Sequence, residues 1–264
     1  MTVPQQESLI DSRAIIDPSA VIHNNVRIGP FCIIGPNVVI GEGSIIESHV
    51  IIKGPTTMGK NNHIYQFCSI GEDTPDLKYK GEPTTLTIGD NNVIREGVTI
   101  HRGTVQDRGD TLIGSNNLLM AYVHIGHDSI VGDHCILVNN AALAGHVKVG
   151  DWAILGGFTL VHQHCSIGAH CFTGMGSAIG KDVPAFMMVA GAPAETRTIN
   201  AEGLRRRGFT NLDLSTLTKA YKLIFRRGLT LEQAISQLKP LIEQSSKIEI
   251  LIKSLESSTR GIVR

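Results

Sequence analysis

The sequence predicts a parallel β-helix of six-residue repeats over residues 1–190, followed by a small α-helical domain over residues 191–264. Two observations carry that prediction. An aliphatic residue or methionine recurs at every sixth position, a period that neither an α-helix (3.6) nor a strand (2) explains. Of the chain's 28 glycines, 14 fall in the single position that follows it.

The repeat starts at Ile16 and runs through Ile22, Ile28, Ile34, Ile40, Ile46, Ile52, Met58 and Ile64 to Ile70. It resumes at Ile88, Ile94 and Ile100, then from Ile113 to Ile179, with Thr173 as the polar member of that last run. Each unit reads as one short strand and one corner. Three units make a triangular coil of 18 residues, with coils stacked about 4.8 Å apart. Backbone conformation and crowding at the corner both favour a residue without Cβ. Asn pairs at 61–62, 91–92 and 116–117 fall in the following turn, where asparagine tolerates left-handed backbone. Four positions beyond the aliphatic comes a small residue, and Cys32, Cys68, Cys135, Cys165 and Cys171 all take this slot. They read as small buried hydrophobes, not disulfides, zinc ligands or nucleophiles. Hexapeptide repeats of this kind resemble left-handed β-helix proteins, which depart from the right-handed crossover rule.

Two stretches break the phase. "DTPDLKYKGEPTT" at 73–85 puts Asp76 and Glu82 where aliphatics are due, and "HRGTVQDRGDTL" at 101–112 carries one extra residue. Both are expected to leave the coil as loops, and loops that interrupt a solenoid are candidate binding elements. In the tail, "NLDLSTLTKAYKLIFRRG" spaces Leu217, Tyr221 and Ile224 for a helix that stops at Gly228. "TLEQ" at 230–233 is a capping-box pattern, and "KIEILIKSLES" is a further amphipathic segment.

A composition of 42% hydrophobic and 5% aromatic residues suits an aliphatic core. The opening "MTVPQQESLIDSR" has no basic region followed by an apolar run, and no apolar run approaches the roughly 20 residues that span a bilayer. A cytoplasmic protein is the expectation. The net charge of zero hides an asymmetry: residues 197–264 carry 13 Lys and Arg against 6 Asp and Glu, and the remainder 11 against 18. A basic tail suggests an anionic partner.

The chemistry concentrates in histidines. His124, His127, His146 and His162 crowd into 39 residues, beginning with "HIGHDSIVG". Counting by 18, position 127 falls over 145, so His127 and His146 are expected nearly in register on coils about 5 Å apart, with Gln163 extending the column. Two chemistries fit such a column. A neutral histidine could serve as general base toward a substrate hydroxyl, or three imidazoles could hold zinc, as in hexapeptide-repeat carbonic anhydrases. Asp128 can orient the His127 ring in either. A non-catalytic binding scaffold is a third reading, but it has no need of converging histidines.

From about residue 8 to 264 the chain resembles the UDP-N-acetylglucosamine O-acyltransferase family of lipid A synthesis. The resemblance rests on "IGPFCIIGP", "PDLKYKGEPT", "IREGVTIHRGTVQ", "HIGHD", "LAGHV", "VHQ", "GLRRRGF" and "STRGIVR". It implies that His127 is the general base, that Asp128 holds its ring, and that the Gly145 N–H donates to the oxyanion. It further implies that His124, His146, His162 and Gln163 position sugar and diphosphate, and that Asp76 and Lys78, with His101 nearby, contact the sugar nucleotide of a neighbouring chain. Asn200, Glu202, Arg206 and Arg207 would bind the uridine diphosphate end, and Lys219, Lys222, Arg226 and Arg227 are candidates for the acyl carrier protein. A homotrimer with active sites between subunits, and no metal or cofactor, are implied as well. Met175, in "TGMGS", would stop the acyl tail. It lies in the coil three beyond that of His127, roughly 14 Å along the axis, which favours about ten carbons.

Overall fold

The computed structural model describes residues 9–264, so the first eight residues of the expected repeat domain lie outside it. The chain is a left-handed parallel β-helix of hexapeptide repeats with α-helices near its C-terminus. Contacts divide it after Asp128 into two compact units.

In the first unit, three parallel sheets form the coil walls. One aligns Ile15–Ile16, Ile33–Ile34, Ile51–Ile52, Ser69–Glu72, Thr99–His101 and His124–Ile125. Ile15 opposes Ile33, Ile33 opposes Ile51 and Ile51 opposes Ser69, each pair 18 residues apart. The spacing then widens, with Ser69 opposite Thr99 and Thr99 opposite His124, because two loops intervene. These loops are shorter than the broken phase suggested, at 73–84 and 102–109. Thr85 already belongs to the strand Thr85–Ile88, His101 still to Thr99–His101, and residues 110–112 to Asp110–Ile113.

The sixth-position aliphatics from Ile28 to Ile125 are no more than 2% exposed. Each such side chain contributes about 1.5–3 kcal/mol over leaving it in water. The glycine after the aliphatic is explained by crowding: a Cβ on Gly41 would run into the carbonyl of Gly59 on the next coil. Conformation is not the general reason, because the left-handed residue falls two positions later, at Asn37, His49, Asn61, Phe67, Asn91, Asn116 and Asp128. The second asparagine of each pair enters the small-residue slot. Asn62 accepts at Oδ1 from the Asn92 backbone (2.9 Å) and side chain (3.0 Å), and Asn92 accepts from Asn117 N at 2.9 Å. The side-chain oxygens of Asn62 and Asn92 thus each accept from the next asparagine of the slot.

The second unit has an 18-residue register of its own, with Ile130 opposite Lys148 and Ala142 opposite Leu160. Thr173 replaces an aliphatic without an orphaned hydroxyl: its Oγ1 lies 2.7 Å from Thr159 Oγ1 and accepts from Gly156 N at 3.0 Å. The tail is not purely helical as expected. Its first element is the strand Glu195–Ile199, antiparallel to Met187–Ala190. Four α-helices follow, α1 (Ala201–Arg206), α2 (Asn211–Arg226), α3 (Leu231–Leu238) and α4 (Lys247–Glu256). Capping boxes start α2 at Thr210–Asp213 and α3 at Thr230–Gln233. Leu217, Tyr221 and Ile224 are buried, as their spacing required. The chain end is fastened to the last coil by Asp182, which accepts from Ser166 N (2.7 Å), Ser258 Oγ (2.8 Å) and Thr259 N (3.1 Å).

All five cysteines are buried and free. Burial pushes the thiols of Cys68, Cys135 and Cys171 up to about 12, so they remain protonated and inert. No described helix is long and apolar enough to cross a membrane.

Candidate active site

In the first unit, candidate groups gather around Asp128. This residue occupies a coil corner with φ of 57°, a conformation that Asp tolerates better than most residues. The corner brings its carboxylate beside the preceding ring, with His127 Nδ1 2.8 Å from Asp128 Oδ2. The carboxylate is fully buried and the His127 side chain 14% exposed. Thr104, in the loop 102–109, fixes the carboxylate from the other side. Its N–H donates to both oxygens at 2.9 and 3.0 Å, and its hydroxyl to Oδ2 at 2.7 Å. Thr111 Oγ1 accepts from the Asp128 N–H at 2.8 Å. An acceptor so placed favours the proton on His127 Nδ1, which leaves Nε2 with its lone pair for an incoming proton.

Two more imidazoles sit on adjacent strands of the same sheet. His101 and His124 meet edge to face with centroids 5.1 Å apart, and His124 Nδ1 is 2.8 Å from Thr99 Oγ1. Burial, and then the neighbouring His124, pull the His101 pKa down to about 4. Burial, and then His127, also lower that of His124. Both rings are therefore neutral at pH 7. His101 Nδ1 is buried without a hydrogen-bond partner among the described residues. In the loop 73–84, Asp76 Oδ1 accepts from Lys78 N at 2.9 Å, and the Lys78 side chain is exposed.

In the second unit, His146 stacks on His164 with centroids 4.3 Å apart. Gly145 is buried at the same corner, and its carbonyl accepts from His164 N at 3.1 Å. His162 and Gln163 are exposed, and His162 Nδ1 lies 3.1 Å from the Gln163 carbonyl. Met175 is 82% exposed at a turn tip.

The four residues expected at the diphosphate end divide into two kinds. Glu202 and Arg206 are exposed on α1 and paired with each other at 3.0 Å. Asn200 and Arg207 are committed to the fold. Asn200 caps α1 through Gly203 N (3.2 Å) and donates from Nδ2 to the His170 carbonyl (2.9 Å). Arg207 lies over the Trp152 ring at 5.3 Å and donates to His170 Nδ1 at 3.3 Å. They belong to a column of corner rings, His134, Trp152, His170 and Phe186, which Phe209 closes edge-on. On α2, Lys219, Lys222 and Arg226 are exposed, as is Arg227 at its C-cap, and Arg226 also donates to Tyr221 OH at 2.7 Å.

Sequence reasoning singled out neither Thr104 nor the corner-ring column. Position 104 lies in an aperiodic loop and its contact spans 24 residues, so no local pattern marks it. The column was detectable in principle, because His134, Trp152 and His170 recur every 18 residues.

A family model described as Udp N-acetylglucosamine O-acyltransferase; Domain 2 matches residues 182–263. Another, described as Bacterial transferase hexapeptide (six repeats), matches 8–54 and 110–145. The acyl-(acyl-carrier-protein)–UDP-N-acetylglucosamine O-acyltransferase of Stutzerimonas stutzeri is 65% identical over 257 residues, covering 97% of this chain and 100% of that protein. The solved UDP-N-acetylglucosamine O-acyltransferase of Moraxella catarrhalis superposes with a TM-score of 0.96 at 50% identity, over 97% of this chain and 100% of that one. The acyltransferase structure from Francisella novicida gives 0.94 at 44% identity, over 97% and 94% respectively.

Proposed function

The chain belongs to the UDP-N-acetylglucosamine O-acyltransferase family, and from that premise we propose that it transfers a 3-hydroxyacyl chain from acyl carrier protein to the 3-hydroxyl of UDP-N-acetylglucosamine in lipid A synthesis. The observation that carries this reading is the His127–Asp128 pair, 2.8 Å apart, with its carboxylate immobilised by Thr104. His127 Nε2 takes the proton of the sugar hydroxyl as its oxygen attacks the thioester carbonyl. The imidazolium that forms is balanced by the buried Asp128 carboxylate. The Gly145 N–H donates to the tetrahedral oxyanion, a contribution of about 3 kcal/mol in comparable sites. Collapse breaks the C–S bond, and the imidazolium returns its proton to the departing carrier thiolate.

Neutral His101 and His124 suit a sugar nucleotide as donors or acceptors, and the exposed His162 and Gln163 suit its diphosphate and sugar. Asp76 and Lys78 reach the nucleotide of a neighbouring chain. Glu202 and Arg206 take its uridine diphosphate end, joined by Arg207 and Asn200 where ligand displaces their present contacts. The exposed cations of α2 suit an acidic carrier protein. Met175 sets a limit of about ten carbons. The enzyme works in the cytoplasm as a homotrimer with its sites between subunits. One sheet face supports this assembly. Its outward residues run Ile15, Ile33, Ile51, Ser69, Thr99 and His124 in register, and the first three are 67%, 42% and 36% exposed. Burying that apolar stripe against a second copy brings the copy toward His124. Sedimentation equilibrium reading a monomer at micromolar concentration would contradict the trimer.

The mechanism is tested by His127→Ala. The variant keeps the circular dichroism and thermal transition of the wild type while kcat falls by roughly 10²-fold or more. Near-normal turnover removes His127 from the mechanism.

A further inference from the structure

Arg102, the first residue of the loop 102–109, is an unusual residue to bury. It is 6% exposed, beside the mouth of the loop 73–84, and a buried guanidinium is costly unless its N–H groups are used. Nη1 donates to the Gly71 carbonyl, and Nη2 to the Asp73 carboxylate and to Tyr79 OH at 3.0 Å. Tyr79 OH passes the connection on to the Glu82 carbonyl at 3.0 Å. The guanidinium therefore ties together the start, middle and end of the loop. The other hydrogen bonds of residues 73–82 are local, such as Asp76 N to Thr74 Oγ1 (3.2 Å) and Lys80 N to Glu82 Oε2 (2.8 Å). Among the described residues, every hydrogen bond reaching 73–82 from beyond residues 72–84 comes from Arg102.

We propose that Arg102 is the positioning residue of the loop 73–84, setting where Asp76 and Lys78 meet the sugar nucleotide without touching it itself. This rests on the proposed function, which places those two side chains against substrate. The arrangement also gives the second insertion its purpose. Loop 102–109 opens with Arg102, which holds the first loop, and two residues later presents Thr104, which holds Asp128. One short insertion thus braces both the binding loop and the carboxylate behind the base. A guanidinium fork can serve three acceptors at once, whereas a lysine ammonium at the same position lacks its planar reach.

The test compares wild type, Arg102→Ala, Arg102→Lys and Tyr79→Phe by two readouts. The first is trypsin cleavage after Lys78 and Lys80, which reports loop anchoring whatever the reaction is. The second is steady-state acyl transfer with UDP-N-acetylglucosamine varied. Arg102→Ala should speed cleavage and raise KM roughly tenfold, the scale of losing a charge-assisted contact, with kcat within about threefold. Arg102→Lys should recover only part of this, and Tyr79→Phe should show a smaller rise in KM with the fold intact. In a variant that already carries Asp76→Ala and Lys78→Ala, Arg102→Ala should add little to KM, since it acts through those two contacts. Unchanged cleavage and KM in folded Arg102→Ala overturn the proposal; if that variant fails to fold, an unchanged KM in Tyr79→Phe does so. Faster cleavage with unchanged KM leaves an anchor without a positioning role and overturns it too. A wild type without acyl transfer is a different result, for it sinks the proposed function and the positioning role falls with it.

Discussion

His170 shows how a corner position, a ring stack and a charge are reconciled in one residue. Its φ of 60° puts the ring into the column between Trp152 and Phe186, where burial, then Arg207 and Lys247, pull its pKa from 6.5 down to about 4. Between those values the unfolded chain takes up a proton that the folded chain refuses. Stability from this group is therefore whole above about pH 6.5 and is lost as pH falls toward 4. His101 acts in the same direction. His170→Asn keeps a residue that tolerates left-handed backbone and removes the titration. Its thermal midpoint should start lower at pH 7, through the lost stacking, yet fall less steeply between pH 6.5 and 4 than that of wild type. Parallel curves would show that His170 does not titrate into the stability. At this scale the sequence was partly legible. Adjacency in "HIGHD" was enough to place the Asp128 carboxylate against the His127 ring, because the two are neighbours in the chain. Thr104 and Arg102 were illegible, since each acts on a segment more than 20 residues away.

Among the elements, the hexad was readable because one buried position per strand and one crowded corner recur in coil after coil on either side of the two loops. The loop edges were not, since Thr85, His101 and Asp110 keep strand pairing with the next coil after the local pattern has lapsed. The strand Glu195–Ile199 escaped for a similar reason: its pairing depends on Met187–Ala190, and its own sequence has no hexad phase. Helices α2 and α3 were legible from spacing and caps, both of which are local. The turn at residues 174–176 carries the chain-length prediction. Met175 stands 82% exposed between two glycines, so its side chain is available to an acyl tail or a neighbouring subunit. Met175→Gly should lengthen the preferred acyl chain by a few carbons and leave the pH profile of kcat unchanged. The check is the ratio of kcat/KM for fourteen- and ten-carbon donors in variant and wild type. An unmoved ratio leaves Met175 as filler at a subunit contact.

For the whole molecule, repetition governs stability while departures from it mark function. The coil core is nearly uniform, so one unit carries little chemical information beyond the next. The loops 73–84 and 102–109 and the basic tail are where the sequence stops repeating, and the proposed contacts of Asp76, Lys78, Glu202 and Arg206 lie at such places. The central claim, acyl transfer to UDP-N-acetylglucosamine, is tested most directly by supplying the purified full chain with that nucleotide and a panel of 3-hydroxyacyl carrier proteins, in the presence of a strong metal chelator, and identifying the product by mass. The expected result is a 3-O-acylated nucleotide, formed fastest from a donor of about ten carbons and undiminished by the chelator. No acylated nucleotide from any donor, or activity that disappears with a stoichiometric metal and returns on its addition, would contradict it.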